Sequence, residues 1–524
     1  MTRASKRKTN QKNCFMRVLW RLVLCVLLFG MTAPLLAMTA APTNWHLPES
    51  FVYNRMGVHW MATPAPMPYR FVRSVYAVDM GVDEYGEPLV DLLRLNEIKY
   101  HNNRFFITTG RTLVVTDNDL MAEQVLSGVW VPADEDSSES EPVWEAFTDL
   151  EGVFVTSQGE VYIAEPGAER VIHLSADLEF IRFIGRPEEM PRDDTGTFRP
   201  RRVAVDNHGR IYIIAEGIFE GILELNPDGT WNRYFGRIEV TPSPMQMLLR
   251  AIQTQAQRLR SPLHLPINFT NLTVDKDGFV FATISVAGTD LGAKKLNARG
   301  GNIMRRPANQ QVGDLQFNMR GLGGQPAGGS IITLIDVTDY GVYYVFDNRR
   351  NRIFAYDEDG HMLYAFGGSG NREGQTNNVS GMTLASGDRL VFADRGSRSF
   401  EIFERTPYGI LVNNAARLQY NNDFIGAAYY WREVLRYNPF FHYAYRGVGL
   451  SLFHHGYFEE SMHYFRLAQH PGFYSAAFRE VRSNTLRDNF DAIMYTVFGL
   501  VAVYFIYRIT KRVIVSKRQR GVES

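Results

Sequence analysis

The sequence predicts a mainly β protein, a six-bladed β-propeller, followed by an α-helical module and a C-terminal transmembrane helix. Three observations predict this architecture: a β-rich unit that recurs across residues 85–405, a change to helical periodicity after Thr406, and an apolar run close to the C-terminus. Four-stranded units that repeat radially around an axis form a propeller, and six copies indicate six blades.

Composition and charge narrow the class of protein. The chain has 524 residues, of which 45% are hydrophobic, so it is long enough for two or three domains with ordinary cores. Its 56 Lys and Arg residues balance its 56 Asp and Glu residues, so no nucleic-acid partner is expected. Both cysteines, Cys14 and Cys25, lie close to the N-terminus, which excludes disulfide scaffolds, cysteine-ligated zinc and cysteine nucleophiles beyond them.

The N-terminal segment, residues 1–41, has the pattern of a secretory signal. Residues 1–17 contain six Lys or Arg residues and no acid, and an apolar stretch from Val18 to Ala37 follows. The segment is therefore predicted to be a signal peptide. It is also long enough to remain as an N-terminal anchor.

The propeller is predicted over residues 50–408 from copies that share one plan. Each copy alternates short β-rich runs with Asx-Gly or Gln-Gly hairpin turns. The copies are a degenerate first one at 97–127, then 149–185, 202–236, one that starts at Leu272, one from Val342 to Gly368, and Met382–Phe403.

An acidic residue recurs after the second strand of four copies, as Glu165, Glu216, Asp347 and Asp394. A carboxylate at such a turn can accept backbone N–H bonds and fix the hairpin. We therefore expect these four acids to be structural residues of the blade turns.

These turns resemble the NHL repeat, in which Asp is followed by Asn three residues later, Arg five later and an aliphatic residue six later. Asp347, Arg352 and Ile353 match this pattern, but Arg350 takes the place of the Asn. Glu165 and the residues after it match more loosely. The resemblance implies an NHL-type propeller.

Two insertions interrupt the predicted blades. Residues 242–260 place apolar side chains on one helical stripe, which predicts a helix that packs on a propeller face or binds a partner. Residues 300–330 are rich in glycine without a phosphate-loop spacing, which predicts a long loop.

Residues 411–483 are predicted to be helical. Phe424 and Phe458 are 34 residues apart, and so are Trp431 and Phe465, a spacing that resembles TPR repeats. About two repeats fit, so the module is expected to lean on the propeller or to lead stiffly into the membrane helix. The resemblance implies docking of protein partners.

Residues 490–507 form an apolar run about as long as a bilayer-spanning helix, with one acid near its start. The tail, residues 508–524, is basic, which predicts a cytoplasmic C-terminus and an extracytoplasmic bulk of the chain at the cell membrane. The alternative for the run is a buried core helix.

The sequence contains none of the common catalytic spacings, so no catalytic residue, metal ligand or cofactor is predicted. The candidate ligand-binding residues are arginines in the turns of two consecutive blades, and the alternative is that they are solvated turn residues. These arginines are Arg349, Arg350, Arg352, Arg395 and Arg398.

The complete layout resembles bacterial membrane-anchored NHL–TPR proteins found beside carbohydrate ABC transporters. Matching runs begin at Phe51 (Phe-Val-Tyr-Asn-Arg), Thr406 (Thr-Pro-Tyr-Gly) and Trp431 (Trp-Arg-Glu-Val-Leu). The resemblance implies a membrane-anchored binding or scaffold protein with protein partners, accessory to such a transporter. The alternative is a metal-dependent lactonase or lyase, an enzyme class built on a similar propeller with an axial metal.

Overall fold

The structure, a computed structural model, describes most of the chain beyond the N-terminal segment. The described residues are 50–56, 59–132, 141–191, 197–237, 268–285, 292–307, 312–314 and 328–520. The predicted signal segment and the helical insertion at 242–260 lie outside them, as do parts of the glycine-rich loop. All elements below belong to one compact unit.

Six sheets form the six blades, which confirms the predicted fold class. The N-terminal strands are β1 (Ser50–Met56), β2 (His59–Pro64) and β3 (Tyr69–Tyr76). Blade 1 contains β4 (Glu97–His101), β5 (Arg104–Thr108), β6 (Leu113–Thr116) and β7 (Ala122–Leu126), and the hairpin of β8 (Gly128–Val131) and β9 (Val143–Ala146) follows it. Blade 2 contains β10 (Val153–Val155), β11 (Val161–Glu165), β12 (Arg170–Leu174) and β13 (Phe180–Ile184).

The remaining blades repeat the same antiparallel order. Blade 3 contains β14 (Arg199–Val205), β15 (Ile211–Glu216), β16 (Ile222–Leu225) and β17 (Trp231–Phe235). Blade 4 has three strands within the described residues, β18 (Phe269–Val274), β19 (Val280–Ile284) and β20 (Ala293–Leu296). Blade 5 contains β21 (Ile332–Val337), β22 (Tyr343–Asp347), β23 (Arg352–Tyr356) and β24 (Met362–Phe366), and blade 6 contains β25 (Val379–Ala385), β26 (Arg389–Asp394) and β27 (Ser399–Arg405).

The first strand of every blade lies innermost, and these six strands form a closed ring. Each contacts the next, from β4 through β10, β14, β18, β21 and β25 back to β4. Strand β3 pairs antiparallel with β27 and becomes the outer strand of blade 6, with Val75 opposite Phe400. The hairpin of β1 and β2 extends blade 5 through β1 and β24. Residues from both ends of the propeller sequence therefore meet in one sheet.

Blades pack face to face, and this explains why their middle strands are apolar on both sides. In β11 all five residues are buried. Tyr162 and Ala164 belong to a core shared with blade 3, whereas Val161 and Ile163 belong to a core shared with blade 1. Successive strand side chains point to opposite faces, so one strand supplies residues to two cores.

Helices follow the last blade directly. They are α1 (Pro407–Tyr420), α2 (Phe424–Tyr437), α3 (His442–His454), α4 (Phe458–Leu467), α5 (Pro471–Asp488) and α6 (Phe490–Arg520). The Thr406 side chain caps α1 by accepting the Gly409 N–H, and Asp423 caps α2 through the Gly426 N–H. Each of the first five helices packs on the next.

The first three helices share a hydrophobic core with blades 5 and 6. Asn413 of α1 is 1% exposed and lies between two buried tyrosines. Its Oδ1 accepts the hydroxyl of Tyr364 at 2.7 Å, and its Nδ2 donates to the hydroxyl oxygen of Tyr344 at 2.9 Å. Burial raises the pKa of Tyr344 to about 12, so its hydroxyl stays protonated at neutral pH. The helical segment is thus fixed to the propeller by a satisfied buried polar network.

Residues Phe490–Arg512 of α6 form the one helix in the described part of the chain that is long and apolar enough to cross a membrane. None of its most apolar window is buried inside the protein. This exposure is compatible with a membrane anchor and differs from that of a buried core helix.

We predict that Asn413→Ala weakens the attachment of α1 to blade 5. The two tyrosine hydroxyls still bond each other at 3.0 Å, so the loss of both bonds to Asn413 should cost about 1–3 kcal/mol in total. Thermal unfolding of the full-length protein in detergent measures the loss. The adjacent Asn414→Ala is the matched control, because no hydrogen bond of its side chain is present among the described residues. Equal stability of the two variants would contradict the role of Asn413.

Candidate functional site

A cavity of about 690 Å³ opens at one end of the propeller axis, where the innermost strands begin. All six blades contribute to its wall. The polar lining residues are Arg94, Asn96, Asp149, Glu151, Arg201, Arg202, Glu216, Asn268, Thr270, Thr333, Asn348, Asn378, Ser380 and Arg395. Its volume is within the range of about 300–1,000 Å³ that is usual for small-ligand sites.

A buried carboxylate lies behind the wall of the cavity. The side chain of Glu97 is 4% exposed, and its Oε2 lies 3.4 Å from Nε of Arg202. The same oxygen accepts the Val153 N–H at 3.2 Å, and Oε1 accepts the Asn271 amide at 3.4 Å. Lys99 lies 4.0 Å away. Glu97 therefore compensates the charges of Lys99 in blade 1 and Arg202 in blade 3. Through its contacts to Arg202, Val153 and Asn271, it links its own strand β4 to the innermost strands β14, β10 and β18.

Blades 1 to 3 form the paired wall, a part of the cavity in which each acid lies near an arginine. Arg94 lies 3.3 Å from Asp149. Arg201 donates two hydrogen bonds to Glu151, at 2.8 and 3.1 Å, and this raises the pKa of Arg201. Glu216, which lines the cavity, lies 3.8 Å from Arg199, which does not line it. Each of these acids therefore has a guanidinium within 4 Å as its charge partner.

Arg395 occupies a different environment at the junction of blades 6 and 1. Its Nε donates a hydrogen bond to the carbonyl of Leu95 at 3.0 Å, and its Nη2 donates one to Oδ1 of Asn96. Within the described chain no carboxylate lies within ion-pair distance of it. Burial and the nearby guanidinium of Arg202 lower the pKa of Arg395. Its described hydrogen bonds therefore go to neutral oxygens, and Glu151 acts on its charge only from beyond ion-pair distance.

Three asparagines complete the other side of the cavity, which we call the amide wall. Asn268, Asn348 and Asn378 come from blades 4, 5 and 6, and all three are exposed. Their side-chain amides make no hydrogen bond to any described residue. Within the described structure the amide wall thus has donors and acceptors without a protein partner, and Asn378 places one such amide beside Arg395.

The recurrent acids explain how the amide wall is positioned. Asp394 accepts the N–H groups of Asn377 at 2.7 Å and Asn378 at 2.9 Å, just before β25. In return the N–H of Arg395 donates to the carbonyl of Asn378 at 2.9 Å. The acid therefore ties the turn after the second strand to the start of the innermost strand, which places Arg395 beside Asn378.

The same arrangement occurs in two other blades. Asp347 accepts the Ile331 N–H at 2.9 Å, and the following Asn348 donates its N–H to the Ile331 carbonyl. Glu165 accepts the Thr148 N–H at 2.8 Å. Glu216 differs, because it is exposed and lines the cavity.

The structure does not bring the five candidate arginines together. Arg350 and Arg352 are buried, with nitrogen atoms 3.5 and 3.2 Å from Oδ2 of Asp314. Arg349 donates to the carbonyl of Gly329 at 2.8 Å. Arg398 lines a separate depression beside Leu92 and Leu93. Arg395 is the member of this set that lines the axial cavity.

The sequence reasoning missed the rest of the cavity wall. Arg94, Asn268 and Asn378 stand just before or within the start of an innermost strand, and Asn348 follows a recurrent acid. The signal in the sequence was the position just before the first strand of each repeat, or just after the recurrent acid. Residues at this position in all six copies are candidates for the cavity wall, whereas the predicted site contained only arginines from two turns.

Asp357, Asp359 and His361 of blade 5 have side-chain atoms close enough together to hold a metal ion. However, the guanidinium of Arg446 from α3 lies among them, 2.9 Å from Nε2 of His361 and 3.7 Å from Asp359. Tyr443 of α3 donates to Asp357. The arginine supplies the positive charge there, so the cluster joins the helices to blade 5.

The fold places the chain among six-bladed β-propeller proteins with a C-terminal helical segment. No protein-family model matches the chain, and no curated protein matches it. Solved structures that match include selenomethionine-substituted virginiamycin B lyase from Staphylococcus aureus, at 9% identity and a TM-score of 0.37, covering 64% of this chain and 100% of the lyase.

Two further matches are equally distant. The streptogramin B lyase structure has 12% identity and a TM-score of 0.34, covering 60% of this chain and 94% of that one. The propeller domain of Cps50 (Swd1) from Myceliophteria thermophila has 10% identity and a TM-score of 0.35, covering 65% and 100%. At these scores the matches carry no argument about function.

Proposed function

We propose that this chain is a membrane-anchored extracytoplasmic binding protein whose axial cavity is the ligand site. The observation that carries the proposal is the cavity itself, which all six blades line with polar groups. A concave site with convergent polar groups is the usual form of a small-ligand site.

The position of the helices supports this proposal. The cavity lies where the innermost strands begin, as with Asn378 before β25. Helix α1 contacts residues that follow the ends of those strands, since Asn413 Nδ2 lies 3.4 Å from the hydroxyl of Tyr340 and 3.5 Å from Asp388. The helices that lead to the apolar segment are therefore on the opposite face, away from the cavity.

The helical segment provides the attachment to the membrane and a second binding surface in this proposal. The spacing of Phe424, Trp431, Phe458 and Phe465 supports a TPR-like module that binds a protein partner. The NHL-type pattern at Asp347 and the layout of the whole chain support an accessory role beside a carbohydrate ABC transporter. The basic residues after Tyr507 support a cytoplasmic C-terminus.

The alternative proposal, a metal-dependent lactonase or lyase, needs free metal ligands or a general base in the cavity. In the described lining each carboxylate lies within 4 Å of an arginine, and no histidine is present. Guanidinium groups in these positions oppose the binding of a cation. The charge arrangement therefore favours ligand binding over metal-dependent catalysis.

We predict that the full-length chain sediments with membranes, and that a chain ending at Asn489 is released into the soluble extracytoplasmic fraction. The truncation removes α6, whose apolar surface is exposed in the structure. Fractionation with an antibody to the propeller measures this. Retention of the truncated chain in the membrane would contradict anchoring by α6 alone.

We predict that Asn378→Trp prevents ligand binding, because the indole would fill part of the cavity from an exposed position. The measurement compares small molecules retained by full-length wild-type and variant proteins after purification in detergent, by mass spectrometry. Asn371→Trp is the control, since Asn371 is exposed on the same connection and does not line the cavity. Identical sets of retained molecules in wild type and Asn378→Trp would contradict the proposed site.

A further inference from the structure

We propose that the cavity binds a small, hydroxyl-rich molecule with one carboxylate, a sugar acid, and that Arg395 binds the carboxylate. This inference rests on the binding function proposed above. It follows from the different charge balance of the two sides of the cavity.

In the paired wall each carboxylate already has an arginine within 4 Å. Asp149 and Glu151 are each paired with an arginine of the wall, and Arg202 lies 3.4 Å from Glu97 and 3.6 Å from Glu151. Among the described residues, four arginines but three carboxylates line the cavity. Arg395 is the arginine of this lining without a carboxylate within ion-pair distance in the described structure. An anion from outside can supply that missing partner.

Arg395 is oriented before any ligand arrives. The bonds from Nε to Leu95 and from Nη2 to Asn96 hold the guanidinium in one place. Nη1 makes no hydrogen bond to the described residues, and the side chain is exposed to the cavity. A fixed guanidinium loses less conformational entropy when it binds a carboxylate, and the charge-assisted bond is stronger than a neutral one.

The amide wall selects for hydroxyl groups. A side-chain amide both donates and accepts, so it can pair with a hydroxyl in either role. Asn378 lies directly beside Arg395, and Asn348 and Asn268 continue the wall through blades 5 and 4. Phe219, 46% exposed, gives the opposite side an apolar surface. A carboxylate at Arg395 would therefore direct the hydroxyls of the same molecule along the asparagines.

Other ligand classes fit this wall less well. A cation would be repelled by Arg395, and an apolar molecule would remove water from the free amides without replacing their hydrogen bonds. A sugar phosphate carries about −1.5 to −2 charges at neutral pH, whereas the other three arginines of the lining, Arg94, Arg201 and Arg202, each already have a carboxylate within 4 Å. The single negative charge of a ligand carboxylate balances the single positive charge of Arg395.

The test is isothermal titration of the full-length protein in detergent with D-glucuronate, D-glucose and D-glucose 6-phosphate. D-Glucuronate should bind about 10- to 100-fold more tightly than D-glucose, because the charge-assisted bonds to Arg395 are absent for the neutral sugar. It should also bind more tightly than the phosphate. The sugars share their ring hydroxyls, so the comparison isolates the anion.

Arg395→Gln should remove the preference for D-glucuronate over D-glucose. The matched control is Arg372→Gln, an exposed arginine on the connection between blades 5 and 6 that does not line the cavity. It should keep the wild-type preference. A loss of preference in both variants, or in neither, would overturn the role of Arg395.

Equal binding of glucose and glucuronate, tighter binding of the phosphate, or no binding of any of the three at about 10 mM would overturn the ligand class. These failures are distinguishable from failure of the proposed function. If wild type retains a neutral compound that Asn378→Trp loses, the cavity is a binding site and the inference about the anion alone is wrong.

Discussion

The pairing of β3 with β27 is the interaction on which the rest of the structure depends. It joins residues that precede blade 1 to the last strand of the propeller, with Tyr69 opposite Arg405 at one end of the register. A propeller closed in this way gives blade 6 its fourth strand and keeps the six innermost strands in contact. The cavity forms at the end of the propeller axis where these six innermost strands begin.

The same junction starts the helical segment. Thr406 follows β27 directly, caps α1, and donates its hydroxyl to the carbonyl of Met67 at 2.6 Å, just before β3. The Gly409 position lies against the backbone of Pro68, where a Cβ would lie 2.1 Å from the carbonyl oxygen. The residues before β3 that close the ring therefore also hold the start of α1, so a shift of α1 would disturb the pairing of β3 in blade 6.

The repeats and their turn residues were sufficient to predict the six blades, because local hydrophobic alternation and Asx-Gly turns determine each hairpin. The recurrent acids were expected to fix hairpins. In the structure Asp394 and Asp347 also tie those hairpins to the start of the innermost strand. This second role depends on the order of strands within a closed blade, which spacing alone does not show.

The candidate site was harder to predict, because it depends on which charges meet across blades. Arg350 and Arg395 occupy similar turns in the sequence. Arg350 lies 3.3 Å from Asp347 of its own turn and 3.5 Å from Asp314 in the connection before blade 5, whereas Arg395 donates to a carbonyl and an amide oxygen of blade 1. Asp314, Leu95 and Asn96 lie far from these two arginines in the sequence. Tertiary placement therefore decided which arginine could serve a ligand.

The most direct measurement is an experimental structure of the full-length protein with saturating D-glucuronate. We expect ligand density in the axial cavity, with the carboxylate on the guanidinium of Arg395 and hydroxyls on the amide wall. Density at another place, on the helices or the outer strands, with an empty cavity would contradict the claim that the propeller axis is the binding site.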